Sequence, residues 1–187
     1  MTAEDAPPRH AVTQVLTSTD AAGHAAATEV IVEEAVAIVF NGTTAAVMMA
    51  TPGDVADLAH GFALTEGYIA GAGDIESYEE VRHDEGVEAR FWVGPERANA
   101  LEARRRSMAG PVGCGLCGID SLQQVRRPLG AVNARLTLTP EQITGAMAAL
   151  SGWQPLKQRT RSTHAAAFFV PGQGITLARE DVGRHNA

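Results

Sequence analysis

Apolar and polar positions along this chain fall into short blocks with two different periods. Two β-prone runs, residues 35–40 (AVAIVF) and 43–50 (TTAAVMMA), flank Asn41-Gly42. Asn-Gly readily takes the positive φ angles of a type I′ turn, so the pair predicts a β-hairpin. Thr51-Pro52-Gly53-Asp54 comes next, and then Val55, Leu58, Ala59, Phe62 and Ala63 recur at helical spacing. Thr51 is the expected cap of that helix. Pro52 is its expected first residue, a position where the missing N–H costs nothing. Val87, Ala89, Phe91 and Val93 alternate with Glu88, Arg90 and Trp92, the period of a strand with one buried face. Its expected partner is the 78–82 region, across Asp84-Glu85-Gly86.

Pro95 opens a predicted helix that runs to about Arg106, and Thr139-Pro140-Glu141 starts another to about Leu150. Residues 109–118 are too rich in Gly and Pro for either period and read as a loop. Residues 165–170 form a compact apolar strand, and Pro171-Gly172-Gln173-Gly174 turns into a second strand at 175–178. Residues 1–27, rich in Ala, Thr, Pro and Asp, read as a mobile arm with a short strand at 12–16. Ordered structure is expected from about Thr28. Strands and helices interleave, which sets the class as α/β or α+β. Three parts follow: the arm at 1–27, an N-terminal α+β part at 28–108 that holds the hairpin, and a part at 109–187 that opens with a cysteine loop.

Composition narrows the function. The 187 residues are 45% hydrophobic, enough to bury a core. The first ten residues, MTAEDAPPRH, carry no apolar stretch and so no secretory signal, and no apolar run is long enough to cross a bilayer. The expected location is the cytoplasm, with no membrane partner. The net charge of −7 hides a split. Residues 1–94 hold sixteen acidic residues against three arginines, while residues 95–187 hold six against twelve basic ones. An acidic total argues against general nucleic-acid binding, whereas the basic half suits either an anionic ligand or a solvated surface.

Both cysteines, Cys114 and Cys117, sit in that basic half, within Gly113-Cys114-Gly115-Leu116-Cys117-Gly118. Two thiols are too few for a disulfide framework. The flanking glycines remove steric cover, and their N–H groups can gather on a thiolate. Arg104, Arg105 and Arg106 add positive potential, although a solvated helix C-terminus explains such a run equally well. The same spacing fits half of a zinc site, with His164 and His185 as distant ligands. Spacing alone therefore leaves zinc, dithiol redox chemistry and sulfur transfer open. A second cluster, Arg159-Thr160-Arg161-Ser162-Thr163-His164, has the residue types of a phosphate site or of a polar loop that caps a strand. A third, Glu180-Asp181-Val182-Gly183-Arg184-His185-Asn186-Ala187, puts Asp and His on a glycine-containing loop after a strand.

Taken together these segments resemble one family. The stretch from Asn41-Gly42 through VMMATPGDVADLAHGFALTEGYI, then EARRRSMAGPVGCGLCG, STHAAAFF and EDVGRHNA, is similar in order and content to the formate dehydrogenase accessory sulfurtransferases of the FdhD type. The likeness spans residues 35–187. It implies a cytoplasmic, homodimeric sulfur carrier with a cytidine-deaminase-like layered core. Such a protein takes persulfide sulfur from a cysteine desulfurase and passes it to the molybdenum bis-pterin guanine dinucleotide cofactor, the bound substrate, before formate dehydrogenase receives that cofactor. Cys114 matches the cysteine that carries the persulfide, and Cys117 matches the second. Arg161, Ser162, His164 and His185 are the expected contacts to the guanine nucleotide or cofactor. No intrinsic metal is expected, because the His-x-Glu and Pro-Cys-x-x-Cys pairs of a zinc deaminase are absent. Members of the family continue past the EDVGRH stretch, so the likeness implies a core truncated at Ala187, with its remainder missing. Two other classes stay open: a cofactor-binding chaperone without catalysis, and a zinc-stabilised structural domain.

Overall fold

A computed structural model describes residues 11–19, 21–106 and 131–187 of the chain. Three sheets and a few helices make it a mixed α+β protein. The largest sheet has four strands: β3 (Glu34–Phe40), β4 (Thr43–Ala50), β5 (Ile75–His83) and β6 (Gly86–Val93), in the order β4-β3-β6-β5. The smaller sheets are the hairpins β1 (Thr13–Thr19) with β2 (Ala25–Ile31) and β7 (His164–Val170) with β8 (Gly174–Asp181).

The β3–β4 hairpin turns where expected. Asn41 and Gly42 take φ of 46° and 76°, the left-handed pair that a tight turn needs. Asn41 does more than turn the chain. Its amide donates to the Val93 carbonyl at 3.0 Å, and its carbonyl oxygen accepts from the Val93 N–H at 2.9 Å. The side chain thereby continues the parallel β3–β6 pairing beyond the strand end, a double role that aspartate cannot fill because it has no N–H to donate. Gly86 opens β6 at φ 148°, and a Cβ there would lie 2.2 Å from the Ala35 carbonyl oxygen. Only glycine lets β6 approach β3 this closely.

Helix α1 (Val55–Thr65) lays Val55, Ala59 and Ala63 into a core shared with Val36, Ile38, Phe40, Val87, Ala89 and Phe91. Leu58 and Phe62 lie half-buried on its flank. The expected cap is corrected: the helix starts at Val55, its N-cap is Asp54 at φ 50°, and Asp54 makes no side-chain capping bond. Thr51 has a different partner, described below. Helix α2 (Pro95–Arg106) follows β6 as its sequence predicts. Arg97 on α2 donates to the carbonyls of Gly67 and Tyr68 and closes the C-terminal end of α1.

Beyond residue 131 the elements are α3 (Pro140–Leu150), α4 (Pro155–Thr160), β7 and β8. A capping box starts α3: Thr139 Oγ1 accepts from Gln142 N, and Gln142 Oε1 accepts from Thr139 N. The six-residue α4 has one local signal, Pro155 at its first position, which the sequence reading did not use. It exists because the Glu180 carboxylate takes the N–H groups of Leu156 and Lys157, both at 2.8 Å. The same carboxylate also accepts from the Thr163 hydroxyl at 2.8 Å.

Two further differences from the sequence reading stand out. The region read as an arm with one strand at 12–16 contains the paired strands β1 and β2, so among the described residues strand structure is already present at Thr13, ahead of the expected start near Thr28. Arg159 on α4 ties this hairpin down through Glu29 and the Thr13 hydroxyl, a contact across more than a hundred residues that no local pattern records. Strand β8 runs to Asp181, three residues beyond the expected Ala178, because Asp181 is buried and Glu180 is fully occupied.

Candidate functional site

Cys114 and Cys117 lie outside the described residues. The other four candidates fall within them. His164 is the first residue of β7 and stands opposite Asp181, the last residue of β8. The segment before β7 and the segment after β8 therefore leave the hairpin at the same end. Arg161 and Ser162 sit on the first, and His185 sits on the second. All four side chains are exposed. Arg161 closes α4 with φ of 59°, so its position is set by a backbone turn rather than by packing.

What fixes this end of the hairpin is a buried polar junction with the β4–α1 corner. Thr51 and Asp181 are 1% and 5% exposed. The Thr51 N–H donates to Asp181 Oδ2 at 2.9 Å, and the Thr51 hydroxyl accepts from the Val182 N–H at 3.1 Å. Asp181 Oδ1 accepts from the Gly183 N–H at 2.6 Å and from the Asn186 amide at 3.0 Å. That amide also donates to the Met49 carbonyl at 2.9 Å. Burial pushes the Asp181 carboxyl above its ordinary value, against the opposing pull of the Gly183, Thr51 and Asn186 donors. Each donor answers one of the carboxylate's lone pairs, which lets a buried carboxylate persist without a cation beside it. The sequence offered Thr51 only as a helix cap and Asn186 only as part of the 180–187 cluster, neither as a partner of Asp181. The one available signal was a threonine before Pro52 that the helix does not use.

Charge around the junction is unevenly paired. Arg179 is held by Asp57 and Asp54, and Arg159 by Glu29. Among the described residues, Lys157, Arg161 and Arg184 have no ion-pair partner. A groove of about 560 Å³ runs between α1 and the β7–β8 hairpin, with Leu58, Phe62, Phe168 and Leu177 as apolar walls and His185 at its margin. Its α1 side carries Asp54, Asp57 and Glu66. Cations without an ion-pair partner thus stand at the hairpin end beside Glu180 and Asp181, while the helix side of the groove is acidic. Among the described residues no group of three or more His, Cys, Asp and Glu side chains is placed to hold a metal. No described helix is long and apolar enough to cross a membrane.

Comparison with known proteins gives this arrangement a context. The model of the FdhD/NarQ family matches residues 31–187. A protein of Agrobacterium fabrum named "Sulfur carrier protein FdhD" is 43% identical over 96% of this chain and 65% of its own length. Proteins of the same name from Cupriavidus necator and Brucella abortus are 43% and 46% identical, over 85% and 88% of this chain and 55% and 62% of theirs. The chain thus spans little more than half to two thirds of these relatives. A crystal structure from Desulfotalea psychrophila, described as that of a formate dehydrogenase accessory protein, matches 94% of this chain and 63% of its own at 21% identity, with a TM-score of 0.62. At that identity the match speaks for the fold.

Proposed function

The chain belongs to the FdhD/NarQ family, and from that premise we propose that it carries sulfur for the maturation of formate dehydrogenase, through a persulfide on Cys114. The observation that carries this reading is the family match over residues 31–187, reinforced by relatives at 43–46% identity whose shared name is that of a sulfur carrier.

The chemistry needs little machinery. The Cys114 thiolate attacks the outer sulfur of a persulfide on a cysteine desulfurase. A new S–S bond forms at Cys114, the donor's S–S bond breaks, and the desulfurase cysteine leaves as a thiolate. The outer sulfur then passes to the molybdenum bis-pterin guanine dinucleotide cofactor, the substrate that accepts it: the S–S bond at Cys114 breaks, Cys114 leaves as a thiolate, and the reduced metal of that substrate supplies the two electrons that bring the sulfur to the sulfide level. Glycines at 113, 115 and 118 carry no side chain that could cover either thiol. Cys117 is the neighbouring thiol that can attack the persulfide or relay it.

The cofactor's phosphates need cations, and the end of the β7–β8 hairpin is the place that suits them. Arg161, Ser162, His164 and His185 share that end, and Arg161 has no ion-pair partner among the described residues. The 109–187 part is read as belonging to a cytidine-deaminase-like layered core, and the working unit as a cytoplasmic homodimer. Cys114→Ser, expressed in a strain that lacks its own sulfur carrier, should leave formate dehydrogenase inactive while the protein accumulates normally. Restored activity with that variant would remove the persulfide role. GDP binding measured by calorimetry should weaken as salt rises, because its phosphates meet exposed cations.

A second reading, a chaperone that shields the cofactor without taking up sulfur, draws on the apolar groove beside these cations. It predicts GDP binding by a chain that never acquires a persulfide.

A further inference from the structure

We propose that Thr51 is a positioning residue for anion recognition, and that Arg184, on the turn it anchors, contacts phosphate directly. This rests on the reading of the β7–β8 end as a phosphate site.

Thr51 belongs to the best-packed part of the molecule: it follows β4, is 1% exposed, and adjoins Ala50 and Val55 of the core. Its two polar groups point away from its own helix. One holds Asp181 and the other holds the N–H of Val182. Asp181 in turn holds Gly183 and Asn186, and Asn186 reaches back to Met49 on β4. The chain is therefore pinned at Val182 and Gly183 on one side and at Asn186 on the other. The two residues between these pins are Arg184 and His185.

The turn is also closed tightly on itself. Asn186 N and Ala187 N both donate to the Gly183 carbonyl, at 3.0 and 3.2 Å. A Cβ on Gly183 would lie 2.7 Å from the Asn186 amide nitrogen. This much anchoring holds in place two exposed side chains that make no hydrogen bond or ion pair among the described residues. Folding alone does not call for it, since neither side chain packs or pairs. Arg179, two residues before Asp181, shows the contrast: its guanidinium is already committed to Asp57 and Asp54. A guanidinium on a pre-fixed backbone loses less freedom when it meets a phosphate, and its planar fork matches two phosphate oxygens. Arg161 approaches from the other segment at the same hairpin end, so a diphosphate bound there is contacted from both sides of the His164–Asp181 pair.

The test is a double-mutant cycle on the 187-residue chain, with inorganic pyrophosphate as the probe and calorimetry as the readout. Arg184→Ala should weaken pyrophosphate binding about tenfold, the loss of one charge-assisted hydrogen bond. Thr51→Val, which removes the hydroxyl that holds Val182, should weaken it by a similar factor, while Thr51→Ser should retain the wild-type affinity. The double variant should bind no more weakly than about either single one, whereas the two shifts in unfolding midpoint should simply add. Should Thr51→Val fail to fold, Asn186→Ala loosens the other side of the turn and takes its place in the cycle. Independent, multiplying losses of affinity, or an Arg184→Ala chain that binds like wild type, would overturn the positioning role and leave the phosphate site standing. A wild-type chain that binds neither pyrophosphate nor GDP would overturn both.

Discussion

The sheet around β3 and β6 and the elements beyond residue 131 bury opposite kinds of residue. The first region buries Val36, Ile38, Phe40, Val87, Ala89 and Phe91 beneath α1, with Phe91 stacked on Phe40 at 5.1 Å. The second buries Gln154, Thr163 and Asp181, all polar, while Ile143, Met147, Phe168 and Leu177 stay exposed. One region is held by removal of apolar surface from water, the other by hydrogen bonds that N–H groups donate to carboxylates. The difference places apolar packing and exposed cations in separate parts. The hydrophobic region supplies a fixed corner at Thr51, and the polar region hangs its exposed cations from that corner.

This contrast can be broken from either side. The largest effect is expected where the apolar core is thickest: Phe91→Ala should cost about 3–5 kcal/mol, read from denaturant unfolding. The matching change in the other region, Phe168→Ser at a side chain 70% exposed, should move the same measurement by no more than about 0.5 kcal/mol. Equal losses at the two phenylalanines would erase the distinction.

Asp181→Asn comes next. It substitutes an amide for one of two oxygens that both face N–H donors, so at least one donor loses its acceptor. A cost of about 1–3 kcal/mol is expected, together with faster amide exchange at Val182 and Gly183. Unchanged exchange at those two amides would show that the junction does not hold the turn.

The smallest effect concerns the Glu29–Arg159 pair that moors the β1–β2 hairpin. The Arg159 hydrogen bond holds the Glu29 carboxyl below its ordinary value of 4.5. The pair therefore contributes fully above pH 4.5, and its contribution fades as pH falls through the lowered value. Exchange protection in β2 should drop over that acidic range in wild type. It should be low and flat with pH in Glu29→Gln. Both charges are solvent-exposed, so added salt should blunt the effect.

Much of the first region was legible in the sequence because its core is written as period. Residues 87–93 alternate, 55–63 repeat at helical spacing, and Asn41-Gly42 marks the turn between β3 and β4. The second region was legible only where the signal is local, as at Thr139-Pro140 and in the apolar run of β7. Helix α4 and the last three residues of β8 depend on Glu180 and Asp181, whose partners include Thr163, Leu156 and Thr51, 17 to 130 residues away. Thr51 misled for the same reason. Its local context is that of a helix cap, but its donor and acceptor serve a strand end 130 residues later. Among the candidate site residues, the sequence named Arg161, Ser162, His164 and His185, which share one hairpin end, but gave no sign of the Thr51–Asp181 junction beside them.

The central claim is that Cys114 carries sulfur, and intact mass tests it most directly. The purified chain would be incubated with a cysteine desulfurase and free cysteine, then weighed without reductant. The account predicts a gain of one sulfur atom in wild type, reversed by dithiothreitol and absent in Cys114→Ser. A wild-type mass that stays unchanged while the desulfurase itself is charged, or a sulfur adduct that persists in Cys114→Ser, would contradict it.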